Sequence, residues 1–150
     1  MSRTSLTLTA SLAALTTAAI IATSGSAQVP APTSLHFVET AQNGVGFQPH
    51  GQPGEGDRFG FGNRVRGSDT GISRGLCTFI GTGKNQRVLC TDAFQLSRGT
   101  LILEAIFSGA PNHSPGVVVG GTGAYKGARG TAVATELSRT KTDTQITLLP

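Results

Sequence analysis

Between Ser34 and Leu149 the chain breaks into short stretches that alternate apolar and polar residues, separated by Gly, Pro, Asn and Asp, with no helical period anywhere. That punctuation is the strongest constraint on the fold. A two-residue period puts one set of side chains on each face of a strand, and frequent turn residues return the chain before a helix could build. Composition agrees. Of 150 residues 21 are Gly, none is Trp and only 13% are charged, which suits strands and turns better than helices.

Eight strands follow from the pattern: Ser34–Gln42, Gly56–Gly67, Thr70–Ile80, Gln86–Leu96, Thr100–Phe107, one beginning at Val117–Val119, Thr131–Leu137 and Thr140–Leu149. Short hairpin-like turns join most of them, so an all-β, eight-stranded antiparallel β-barrel is expected rather than a sandwich. Closure removes the exposed edges that an open sheet would leave, and eight strands enclose room for one small ligand. Residues 43 to 56, rich in Gly, Pro, Gln and Asn, read as one long loop.

The first 27 residues have the layout of a cleaved secretory signal peptide. Arg3 precedes an apolar stretch from Leu6 to Ile21, and Gly25 and Ala27 sit at −3 and −1 of a cleavage before Gln28. The apolar part is short for a membrane span. Residues 28–33 form an extended lead-in, and 34–150 form a single domain. Without Arg3, eleven basic residues face eight acidic ones, a net charge of +3, and the bases are scattered; neither nucleic acid nor, after cleavage, a membrane is an expected partner.

The two cysteines can be placed in register. A two-residue loop at Gly83-Lys84 pairs Thr82 with Asn85, Phe79 with Val88 and Cys77 with Cys90, the last on a closely spaced non-hydrogen-bonded pair. In a secreted chain this favours a disulfide; two buried thiols or a reactive nucleophile are the alternatives.

Chemistry is sparser. Glu39 shares a strand face with Leu35 and Phe37, so it is either a cavity carboxyl or a strand-end acid reaching solvent. Glu104 shares a face with Ile102 and Ile106, and either enters a cavity or pairs with an Arg on a neighbouring strand. Phe59, Phe61 and Tyr125 either line a cavity mouth or belong to the core. His36, His50 and His113 lack metal-ligand spacing, so no metal is expected. There is no G-x-S-x-G elbow, no P-loop and no G-x-G-x-x-G followed by a βαβ unit, so no nucleotide cofactor is expected. Asn112-His113-Ser114 matches a glycosylation sequon.

The run from Val117 to Gly130, VVVGGTGAYKGARG, closely resembles the VVGGTG…ARG signature of dirigent proteins and is similar to the GGSG-type run of allene oxide cyclases. Gly71 to Cys77 (GISRGLC) looks like the strand that dirigents write as GRAQGLY. Gly99-Thr100-Leu101 falls where these families carry a Gly-rich hairpin, and Gly56-Asp57-Arg58-Phe59 with Asn63 is similar to the GD…FSN stretch of the cyclases. The resemblance implies an eight-stranded barrel with an apolar cavity, assembled as a homotrimer, acting without a cofactor on a small apolar or phenolic molecule. It places Glu39 where the cyclases carry a first-strand Glu, and likens Asn63 and Cys77 to their polar cavity residues. A bridged Cys77 could not act as a thiol. The cavity acids and Arg of plant dirigents find no assigned counterpart. Two functions follow: a secreted cyclase or stereo-directing protein with Glu39 and Asn63 as its polar groups, or a non-catalytic extracellular binding or assembly protein.

Overall fold

A computed structural model describes residues 33–42, 53–108 and 113–150. The signal peptide, most of the lead-in, the first ten residues of the long loop, His50 and Asn112 lie outside the described residues. Eight antiparallel strands run β1 (Thr33–Gln42), β2 (Arg58–Gly67), β3 (Gly71–Ile80), β4 (Arg87–Leu96), β5 (Gly99–Phe107), β6 (His113–Gly121), β7 (Gly130–Ser138) and β8 (Lys141–Leu148). Each pairs with the next and β8 closes on β1, giving the expected barrel. The largest correction is β6, which begins at His113 rather than Val117 because Pro115 and Gly116 still pair with β7.

Strand alternation sets the interior. Leu35, Phe37 and Glu39 of β1 are buried while His36 and Thr40 are exposed, and β2 turns Phe59, Phe61, Asn63 and Val65 inward against exposed Arg58, Arg64 and Arg66. The predicted register of β3 and β4 holds: Phe79 pairs with Val88 and Cys77 with Cys90, and the cysteines form a disulfide. The connection is wider than a two-residue turn. Pairing ends at Ile80 and Arg87, and the intervening residues form a 3₁₀ turn at Gly83–Asn85, with the amide of Asn85 donating to the carbonyl of Thr82 at 3.1 Å.

One end of the barrel is filled and tied. Phe37, Val65, Phe94, Leu101, Val118 and Ile146 pack there, all nearly inaccessible to solvent. Buried Asp69, in the β2–β3 turn, accepts from the Thr70 amide (2.7 Å), Ser97 Oγ (2.5 Å), the Arg98 amide (3.2 Å), Arg98 Nε (3.3 Å) and Tyr125 Oη (2.9 Å). A single carboxylate thus joins three turns: β2–β3, β4–β5 and β6–β7. The glycine run makes this possible. Gly123 adopts φ +60° and its Cα-side space is filled by the Arg98 carbonyl, 2.4 Å from where a Cβ would stand, so only glycine lets the turn approach closely enough to bring Tyr125 to Asp69. Tyr125 is buried and Arg129 is exposed.

The hydrogen bonds hold the Asp69 carboxyl well below the usual carboxylate range, Ser97 contributing most, against an opposing effect of burial. A carboxyl depressed on folding adds stability that is present above its unfolded pKa and lost as pH falls toward the folded one. Asp69→Asn should therefore cost about 1–3 kcal/mol at neutral pH and flatten the loss of stability below pH about 4; urea denaturation across pH 2–7 measures both. The double variant Cys77→Ser/Cys90→Ser should lose about 3 kcal/mol, the loop-closure value for a bridge of this span, read as a lower denaturation midpoint that matches wild type under reducing conditions.

Candidate functional site

The other end is hollow. Here the inward positions of β5, β6 and β7 carry Ala105, Gly116, Ala132 and Ala134, too small to meet the facing Phe61 and Phe94. An inner chamber of about 120 Å³ results, adjoining an outer one of about 480 Å³ that reaches the rim at Ala41, Phe59, Val88, Arg139 and Lys141. Both are bordered by Glu39, Phe61, Asn63, Cys90, Phe107 and Ala134, so the disulfide forms part of the wall. Gly75 shapes it as well. It pairs with Phe61 across β2 and β3, and a Cβ there would stand 2.2 Å from the Phe61 ring; its absence lets the ring lie flat along the wall.

At the boundary between packed core and chamber stands a polar cluster. Glu39 accepts from Asn63 Nδ2 (2.9 Å) and Ser73 Oγ (2.7 Å) at Oε2 and from Thr144 Oγ1 (2.6 Å) at Oε1. Four strands supply these groups: β1, β2, β3 and β8. Asn63 also reaches Ser73 Oγ at 3.3 Å, so the amide bridges both partners. Glu39 and Ser73 are buried, and the carboxyl is oriented by neutral donors alone.

Asp92, inward on β4 between Cys90 and Phe94, completes the cluster. Burial, and secondly the negative charge of Glu39, pushes its carboxyl up to about 7, opposed by hydrogen bonding to Ser73 and the amides of Ala93 and Arg74. Its Oδ1 is buried without a hydrogen-bond partner among the described residues. A carboxyl raised toward neutrality beside an empty space can give or take a proton there.

The structure thus joins Glu39 and Asn63 directly and sets Phe59 and Phe61 in the chamber walls. Two expectations fare differently. Tyr125 lies in the closed end with Asp69 and Arg98 and borders neither chamber. Glu104 borders the inner chamber but is exposed, belonging with Ile102 and Ile106 to the outward set of β5, because Leu101, Leu103 and Ala105 take the inward positions. Sequence reasoning missed Asp92, Ser73 and Thr144. For Asp92 a signal existed: it falls two residues from Cys90 on the face that Phe94 and Leu96 continue, so the same register that paired the cysteines places it inward. Among the described residues no group of three or more His, Cys, Asp or Glu could hold a metal ion. His36 instead meets Asp143 on the surface at 2.5 Å, and His113 meets Thr135 at 2.9 Å.

The raised Asp92 pKa has a measurable consequence. A carboxyl raised on folding favours the native state while it is protonated, and that advantage is lost as pH rises from its unfolded pKa, about 4, to its folded value, about 7. Asp92→Asn should remove this loss, so the variant gains stability relative to wild type at pH 8 but not at pH 4; paired denaturation curves at the two pH values test it.

No family model and no curated protein matches the sequence. Solved structures do. Pyocyanin demethylase superposes with a TM-score of 0.65 at 17% identity, covering 77% of this chain and 99% of that one. The pterocarpan synthase dirigent protein PsPTS1 gives 0.64 at 20% identity over 81% of this chain and 97% of its own. The related GePTS1 gives 0.63 at 21% identity over 87% and 98%. With these neighbours and its closed eight-stranded topology, the chain has the dirigent-like barrel fold.

Proposed function

We propose that this protein is a secreted barrel whose open chamber binds a small apolar or phenolic molecule and, without a cofactor, steers its cyclisation or coupling. The observation that carries the reading is the carboxyl pair, Glu39 and Asp92, set in the wall of a largely apolar chamber that opens at one end. All three neighbouring structures carry names of proteins acting on small molecules, one a pyocyanin demethylase and two pterocarpan synthases, which supports a small-molecule ligand.

A cyclisation is an isomerisation and needs no net proton or electron. It needs a conformer held for attack and groups that meet transient charge. The walls of Phe59, Phe61 and Phe107 would hold the conformer. Glu39, fixed by Asn63, Ser73 and Thr144, would face developing positive charge, and Asp92 would lend a proton to a ligand oxygen and recover it in the same turnover. Coupling of phenols would require partners oxidised before they arrive, the chamber setting only which faces meet.

Secretion is supported by the leader-like first 27 residues and by the Cys77–Cys90 bridge, which an oxidising compartment favours. A homotrimer is supported by the outer surface of β3 to β6, where exposed Leu76, Leu89, Ile106 and Val117 surround Thr91 and Glu104. Glu104 would then be an interface residue.

Native mass spectrometry of protein from culture medium reports retained ligand and assembly together. A bound species of a few hundred daltons is expected on wild type. Ala134→Phe, which fills the space shared by both chambers, should lose it and weaken ligand binding about tenfold or more while keeping the fold. Equal retention by this variant would count against the chamber as the site.

A further inference from the structure

We propose that the hollow end, its two chambers together holding the ligand and the inner one supplying an acidic wall, selects conjugated ring ligands carrying positive charge, such as N-alkylated aza-arenes, over neutral or anionic rings of the same size. This deepens the binding reading above and rests on it. The protein as a whole is basic, with twelve Lys and Arg against eight Asp and Glu. Its chamber is the reverse. Glu39 and Asp92 line the inner chamber, Glu104 borders it from its exposed position, and no Lys or Arg does so among the described residues. The bases of β2 and β3 (Arg58, Arg64, Arg66 and Arg74) are all exposed.

Three details make this sorting consequential. The partners of Glu39 are an amide and two hydroxyls, which orient its charge without cancelling it. Asp92 keeps one buried oxygen without a hydrogen bond among the described residues, so no donor there offsets its charge when it is ionised. Phe61, Phe94 and Phe107 add aromatic rings to the wall, and a cation seated over the face of such a ring is attracted by its quadrupole. Arg139 and Lys141 stand at the outer rim, but they are exposed, are accompanied there by exposed Glu136, and act through solvent and salt. The chamber carboxyls are partly or wholly withdrawn from water, where the same charge acts more strongly.

A pH signature follows. The titratable groups on the inward face of the inner chamber are Glu39 from β1 and Asp92 from β4, while Glu104 of β5 borders it from the outward set; β2 and β8 present Asn63, Thr142 and Thr144, Ser73 of β3 lies behind them against Glu39, and β6 and β7 present only uncharged residues. A bound cation favours ionised Asp92, so its affinity should rise as pH rises through about 7, with a proton released on binding below that value.

Calorimetric titration of the secreted chain with three two-ring probes tests this: 1-methylquinolinium, 2-naphthol and 2-naphthoate, at pH 6 and pH 8. The cation should bind about tenfold more tightly than 2-naphthol at pH 8, equivalent to about 1.4 kcal/mol, with a smaller margin at pH 6, and 2-naphthoate should bind weakest. Asp92→Asn should make the margin independent of pH, and Ala134→Phe should abolish binding of the cation. If 2-naphthol or 2-naphthoate binds as well as the cation at pH 8, or if the cation still binds Ala134→Phe, the inference is wrong while the small-molecule reading stands. If none of the three binds at millimolar concentration, both fall. Glu39→Gln adds a second measure, expected to reduce the cation's margin, and Asp92→Asn serves alone should that variant not fold.

Discussion

The barrel depends on Asp69. A closed sheet must have its turns held at fixed heights, and this one carboxylate ties three of them through five hydrogen bonds at the filled end. Buried polar groups are costly unless fully paired. Here the pairing is complete enough to depress the carboxyl's pKa, and the packed residues beneath it exclude solvent. With one end secured in this way, small residues can stand opposite one another at the other end without collapse of the wall.

The two polar clusters show opposite uses of a buried carboxyl. Asp69 is saturated by donors, one of them cationic, and has nothing left to offer a ligand. Asp92 sits beside another carboxyl, retains a free oxygen and titrates near neutrality. Glu39 lies between these extremes: its donors fix it, yet none neutralises it. Chemistry is expected where satisfaction is incomplete, and in this chain that is the hollow end.

Much of this was legible in the residues. Alternation along β1 set Glu39 on the face of Leu35 and Phe37, the resemblance singled out Asn63, and the hairpin count found the disulfide. Alternation names two faces without saying which is inside, and β5 shows the limit. Leu101 and Leu103 oppose Ile102 and Ile106 with equal hydrophobicity, so nothing local decides whether Glu104 is enclosed; the exposed apolar patch around it made the wrong face look like core. Asp92 is obscured differently, as a lone charge among the apolar Cys90, Phe94 and Leu96 of its face. The role of Tyr125 depended on Asp69, 56 residues away, a contact no local pattern encodes. In β6 the register slips near Val119, opposite Ile102 and Leu103, so the three valines do not keep one simple alternation against β5.

The disulfide in the chamber wall has a consequence for how a hollow protein stays folded. Most domains gain stability by filling their interiors, and every ångström left open for a ligand forfeits contacts. A covalent cross-link acts chiefly by narrowing the freedom of the unfolded chain. It therefore steadies β3 and β4 without occupying the space between them and the opposite wall. Side chains around Cys77 and Cys90 can change size to suit a different guest while that contribution persists, so the bridge separates the evolution of the chamber's shape from the survival of the barrel.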